Sequence, residues 1–292
     1  MPGAYSTKLQ AQDPTRAPKS IYFLTLSLAL TPTRDPTRVQ TCSDLVGPAA
    51  SGDAPGIRTV KNLIPIVLLP GTLMDGASLR PLMATLGAPA IVELLGIERD
   101  FDAEIDRLAA LVSQPSVWIG HSLGGIAALH LATRRPACCA ALVVLASNAR
   151  PDGAQGAQNR AQQWAALEHG GMVALLHEQL AAAYGIRDGD PLFDDLLAQA
   201  IRIGADRFRH QLRYAAERPG LLHAASVLSM PVLALSGSDD YLCPPACGEE
   251  VIAVSTSILS RHKVLPGAGH LLPLQAPGWC AHHIRHFLAQ LA

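Results

Sequence analysis

Charge is scarce in this 292-residue chain: Asp, Glu, Lys and Arg make up 16% of it, and the formal net charge is −1. With no basic field to gather phosphates, nucleic acid is not an expected partner. Cysteine is also sparse, at six residues, and a chain of this length does not need disulfide staples. Cys138 and Cys139 are adjacent and cannot bond each other without strain. Cys243 and Cys247 are one helical turn apart, but no second pair of ligands follows at finger-like spacing, so no metal site is expected. These residues and Cys280 read as buried, reduced thiols, which favours the cytoplasm.

Long apolar runs are missing too. None approaches the roughly 20 residues that span a bilayer, so membrane association is not expected. The longest near the N-terminus is Ile21–Leu30, preceded by Arg16 and Lys19. It superficially matches an export signal, but Thr31-Pro32-Thr33-Arg34-Asp35 follows where a small-residue cleavage site belongs. Export therefore stays the alternative to the cytoplasm.

What the chain does have is apolar mass: 49% of its residues are hydrophobic, enough for a sizeable core. Residues 1–61 stand apart. They are rich in Pro, Thr, Ser, Gly and Ala, and Asp-Pro-Thr-Arg occurs at both Asp13 and Asp35. Frequent prolines block helix and sheet ladders, so this segment is expected to be a flexible leader.

From Ile64 the texture changes. Ile64–Leu69 is a continuous apolar run, as in a strand buried on both faces. Strand texture returns at 90–94, 117–119, 141–145, 231–235 and 259–265. Helical patterns fall at 79–86, 102–112, 123–134 and 279–291. This alternation predicts an α/β fold: a mainly parallel twisted sheet with helices on both faces. Residues 151–225 carry helical patterns only, the layout of a lid inserted between core segments 62–150 and 226–292.

A serine hydroxyl needs a base, an oriented base and a place for the oxyanion before it becomes a useful nucleophile. Gly120-His121-Ser122-Leu123-Gly124 follows an apolar strand and opens an alanine- and leucine-rich helix. That context suits a nucleophile elbow, in which small residues two before and two after the serine let strand and helix meet. The Leu123 N–H would then lie where an oxyanion develops. Pro70-Gly71-Thr72 ends the first strand and offers a second donor, the Thr72 N–H, with Leu73 as the weaker option. An acid is available in Ser238-Asp239-Asp240, and His270 follows Gly269 after the last strand; Ser, acid, His is the chain order this fold uses.

Leu68-Leu69-Pro70-Gly71, Gly120–Gly125, Gly237-Ser238-Asp239-Asp240 and Pro266-Gly267-Ala268-Gly269-His270 together resemble the α/β-hydrolase superfamily, from about Ile64 to the C-terminus. Members usually write the acid motif as Gly-x-x-Asp-x-x-x-Pro, so the resemblance implies Asp240, through Gly237 and Pro244, with Asp239 as the alternative. Two departures stand out: Pro70 occupies a position where many members have histidine, and two strands that often precede the first are not recognisable. The resemblance implies a catalytic set of Ser122, His270 and Asp240, with Thr72 and Leu123 N–H groups as oxyanion donors and no cofactor or metal. The expected function is a lid-containing serine hydrolase that cleaves an ester-type small molecule through an acyl-enzyme. The alternatives are a ligand receptor keeping the same pocket, or a triad-bearing carbon–carbon hydrolase, haloperoxidase or acyltransferase. An aspartate-based epoxide hydrolase or dehalogenase is disfavoured by the serine.

Other histidines receive structural readings. His121 is expected to pack beside the elbow. His130, His282, His283 and His286 are expected on helix surfaces or partly buried. His169, His177, His210 and His223 fall in the lid without a basis for choosing among them, and Trp164 and Tyr184 are more naturally core than pocket. Full-length protein and a version starting near Asn62 are expected to fractionate identically. Loss of membrane association on truncation would instead identify the leader as a membrane address.

Overall fold

The computed structural model describes residues 64–187, 189–222 and 228–291; the expected leader and His223 lie outside the described residues. In chain order the elements are β1 (Ile66–Leu69), α1 (Gly76–Leu86), β2 (Ala90–Val92), α2 (Phe101–Ala109), β3 (Ser116–His121), α3 (Leu123–Arg134) and β4 (Cys139–Leu145). The chain then runs through α4 (Ala154–Ala174), a π-helical turn (Leu175–Leu180) and α5 (Pro191–Glu217). It returns to the sheet with β5 (Val232–Gly237), α6 (Pro245–Ala253), β6 (Arg261–Leu265), α7 (Leu272–Gln275) and α8 (Pro277–Leu288).

The six strands form one sheet in the order β2-β1-β3-β4-β5-β6, and every pairing is parallel. Parallel pairing leaves both faces to be covered, which explains the unbroken apolar strands. Val67, Leu69, Trp118, Leu142, Val144 and Val232 point to one face, against α2 and α3. Their neighbours Leu68, Val117, Ile119, Val143, Leu145 and Leu233 point to the other, against α1 and α8. Trp118 is fully buried, and its indole N–H donates to Cys138 O at 3.0 Å.

The strand order has a direct consequence for function. From β1 the chain steps outward to β2, then crosses back to β3 on the opposite side of β1 and continues outward through β4, β5 and β6. The loops leaving β1 and β3 therefore diverge, opening a crevice at their carboxyl ends, where ligands of open α/β sheets bind.

The helical segment between β4 and β5 is an insertion with its own apolar cluster. Leu175, Leu176, Leu180, Leu196 and Phe208 pack there against Leu73, Met74 and Leu271 from the loops above the sheet. The 27-residue α5 breaks at Gly204, whose φ of 77° only a residue without a β-carbon adopts freely. Element boundaries differ modestly from expectation: β2 ends at Val92 and α2 at Ala109. Helix α6 goes unanticipated; Pro244 precedes it and Pro245 occupies its first position.

Two histidines are sunk in this framework. His121 ends β3 and is 2% exposed; His130, expected on a helix surface or partly buried, is 5% exposed. The correction for His130 has a local cause: its ring meets Phe101 edge-on, at 4.9 Å between centroids, under α2. Burial, with the His270 ring as neighbour, holds His121 down to about 3. Burial, with the Arg218 guanidinium, holds His130 to about 4. Both folded values lie below the unfolded value of roughly 6.5, so as pH falls the unfolded chain takes up protons that the folded chain refuses. Stability present above about pH 6.5 is lost on acidification, by about 2 kcal/mol per ring between pH 6.5 and 5. Urea unfolding at pH 7 and pH 5 measures this, and His130→Leu is expected to remove about half of these rings' contribution. An undiminished pH dependence in that variant would refute the assignment.

Candidate active site

Ser122 sits between β3 and α3 with φ 51° and ψ −117°, a conformation costly for a residue with a β-carbon. Its backbone is held on every side. The N–H donates to Leu145 O at 3.0 Å, while its carbonyl accepts from Ile126 N at 3.1 Å and Ser147 Oγ at 2.8 Å. The flanking glycines are needed for contact rather than for their own torsions. A β-carbon on Gly120 would run into the Gly124 carbonyl, and one on Gly124 into Leu69 O. Glycine at both positions therefore lets α3 sit directly on the ends of β3 and β1.

His270 follows β6, and Asp240 follows β5. The imidazole Nε2 lies 2.9 Å from Ser122 Oγ, and Nδ1 lies 2.9 Å from Asp240 Oδ2. The other carboxylate oxygen of Asp240 accepts the Leu242 and Cys243 N–H groups, each at 2.9 Å. Burial opposes ionisation of Asp240, but the His270 ring and these two amides outweigh it and hold the carboxyl below its ordinary range. An ionised Asp240 can only accept, so it draws the His270 proton to Nδ1 and leaves the Nε2 lone pair facing the serine. Asp239, the alternative acid, is exposed and accepts from Ser238 Oγ at 2.7 Å. Of the two carboxylates, Asp240 is the one joined to His270.

The two oxyanion-donor options at the end of β1 are separated in the same way. The Leu73 N–H is taken by Gln211 Oε1 at 2.9 Å. Neither the Thr72 N–H nor the Leu123 N–H has an acceptor among the described residues, and Thr72 lines the same cavity as Ser122. Gly71 makes this approach feasible: a β-carbon there would stand 3.0 Å from His121 Nδ1 and 3.2 Å from Ser122 Cβ. His121 packs beside the elbow, as expected, and donates from Nε2 to His270 O at 2.8 Å. It props the backbone of His270 without reaching the reacting atoms.

The cavity has a volume of about 280 Å³. Its walls include Tyr184, Gln211, Leu212 and Leu242, and α4 adds Asn159 and Arg160, whose charge is met by Asp152. Tyr184 lies in the apolar cluster of the insertion, as expected, and lines the cavity as well; its place against His270 was not anticipated. Its ring stacks on His270 at 5.6 Å between centroids and 10° between planes, and it is 5% exposed. The described histidines of the insertion lie elsewhere. His210 meets Gly96 O, His169 pairs with Glu178, and His177 meets Phe193 edge-on. Trp164 carries the Arg209 guanidinium over its ring.

Comparison with known proteins agrees with this architecture. Residues 66–283 match the family described as the alpha/beta hydrolase family. A pimeloyl-[acyl-carrier protein] methyl ester esterase of Neisseria meningitidis serogroup C is 30% identical over 159 residues, covering 51% of this chain and 61% of that protein. A serogroup A counterpart has the same identity over the same length and is 50% covered, so the chain spans only part of these curated relatives. Among solved structures, a thermophilic esterase from Thermogutta terrifontis superposes with a TM-score of 0.68 at 23% identity, covering 78% of this chain and 90% of that one. The enol-lactonase from Burkholderia xenovorans LB400 gives 0.66 at 17% identity, covering 80% and 94%. These structural likenesses speak to the fold, and the family match spans all six strands and the insertion: the chain belongs to the alpha/beta hydrolase family.

Proposed function

We propose that the chain is a serine hydrolase that cleaves a small ester-type substrate through an acyl-enzyme. One observation carries this reading: the continuous relay from Ser122 Oγ through His270 to Asp240, each link 2.9 Å long. Ser122 Oγ attacks the substrate carbonyl while His270 Nε2 takes its proton. The carbonyl oxygen becomes an oxyanion, received by the Thr72 and Leu123 N–H groups, the latter at the positive end of α3. Collapse expels the alcohol, which leaves with the proton held on His270. Water, deprotonated by the same nitrogen, then attacks the acyl-enzyme, and the proton returns to Ser122 as the acid departs. Asp240 keeps its charge throughout and stabilises the imidazolium formed in each half-reaction.

The helical insertion acts as a lid in this reading, since Tyr184 and Leu212 bring it against the cavity that holds Ser122. The small cavity favours a small-molecule substrate, and the ester chemistry named for the Neisseria relative supports the reaction class. We place the protein in the cytoplasm, a compartment suited to its free thiols; Cys139, Cys243, Cys247 and Cys280 are buried, and Cys138 is half-buried. No helix among the described residues is long and apolar enough to cross a membrane.

Ser122→Ala is expected to lower kcat on p-nitrophenyl acetate by several thousand-fold or more. Asp240→Asn, which reverses the tautomer preference of His270, is expected to lower it by about four orders of magnitude. Circular dichroism of both variants should match the parent. Wild-type protein should take a fluorophosphonate label at Ser122; the absence of label and turnover would favour a ligand receptor instead.

A further inference from the structure

The loop between β1 and α1 carries Thr72 and is strained. Leu73 has φ 59°, in the left-handed region that residues with a β-carbon avoid. Such a conformation persists only when its surroundings over-determine it. The peptide joining Thr72 to Leu73 is held from both edges by the helical insertion. Its N–H donates to Gln211 Oε1 at 2.9 Å, and its carbonyl receives a longer contact, 3.4 Å, from the Tyr184 hydroxyl.

Gln211 is 1% exposed, and its amide has no freedom to turn over. Its nitrogen donates to Leu95 O at 3.1 Å, while its oxygen accepts from Leu73 N. Exchanging the two ends would set donor against donor and acceptor against acceptor. One side chain of α5 thus ties together the loops that follow β1 and β2. Gln199, on the other side of the break at Gly204, grips the same β1–α1 loop farther along, accepting from Asp75 N at 3.1 Å.

We propose that Gln211 is the positioning residue of the oxyanion site: by fixing the Thr72–Leu73 peptide plane, it restrains the Thr72 torsions through which the adjoining Gly71–Thr72 peptide turns its N–H toward the reacting carbonyl. The inference rests on the hydrolase reading above. Gln211 also removes the Leu73 N–H from competition, so the oxyanion meets one amide from this loop in one orientation. An alkyl side chain at 211 would release one edge of that plane and leave it to the longer Tyr184 contact, and a donor displaced by an ångström loses most of its value in the transition state while ground-state binding changes little.

The test compares Gln211→Leu, Gln211→Glu and Gln199→Leu with wild type on p-nitrophenyl acetate, using active sites titrated with a fluorophosphonate. Gln211→Leu is expected to lower kcat by about 10- to 100-fold with KM within about threefold. Its affinity for phenyl trifluoromethyl ketone, which forms a tetrahedral adduct on serine, should fall in parallel. Gln211→Glu should recover most of the lost kcat, because a buried carboxyl in its protonated form again presents one acceptor and one donor. Gln199→Leu loses a comparable buried hydrogen bond, so its Tm should fall, yet kcat should stay within about threefold. If Gln211→Leu does not fold, Gln211→Asn, one methylene too short to make both bonds, carries the same expectation. An unaltered kcat in folded Gln211→Leu or Gln211→Asn, or equal losses at 199 and 211, would overturn the positioning role. A wild-type protein inert to both the ester and the fluorophosphonate would overturn the hydrolase reading itself.

Discussion

The first turn of α3 rests on bare backbone at the ends of β1 and β3, and the site depends on that close approach. Side chains at 120 and 124 would hold the strands and helix apart by the thickness of a methyl group. With glycine there, Ser122 is pressed into its unfavourable torsions, and the energy of that strain is offset by Leu145, Ile126 and Ser147 holding the same peptide units. The Leu123 amide arrives at the start of α3 by the same constraint. The proposed nucleophile and oxyanion donor are consequently products of a single steric condition.

This condition explains why the elbow was legible in the sequence. A backbone contact demands particular residue types at fixed local offsets, and the alternating apolar segments on either side supply the context. The choice between Asp239 and Asp240 is different in kind. Both lie past the end of β5, and only the turn that buries one carboxylate under the Leu242 and Cys243 amides separates them. Motif spacing selected Asp240 by resemblance, whereas the physical reason is three-dimensional. His130 shows the reverse: its helical setting was clear, but the face it occupies depends on where Phe101 packs.

Gln199 and Gln211 were legible in principle. Leu196, Gln199, Ala200 and Ile203 repeat the spacing of Phe208, Gln211, Leu212 and Ala215, so each glutamine falls on an otherwise apolar face of α5. A polar residue at a core-facing position is more informative than an exposed apolar one. What the pattern does not reveal is the partner. The Leu73 and Asp75 amides are more than a hundred residues away, and their need for acceptors arises only after the chain has folded. Tyr184 is similar, since its stacking partner lies on a loop beyond the last strand.

The grip of the insertion on both Leu73 and His270 bears on how such an enzyme could diversify. In a fold whose reacting groups hang from strand ends, the covering helices look like an exchangeable cassette, free to be swapped for a new substrate range. Here the cassette contains parts of the frame: Gln211 braces one loop and Tyr184 backs the imidazole. A chimera that imported foreign helices at this point would keep Ser122 at its elbow and lose the struts behind it. Modularity in this chain therefore extends to the pocket walls formed by α4 and stops at the two side chains that hold the loops in place.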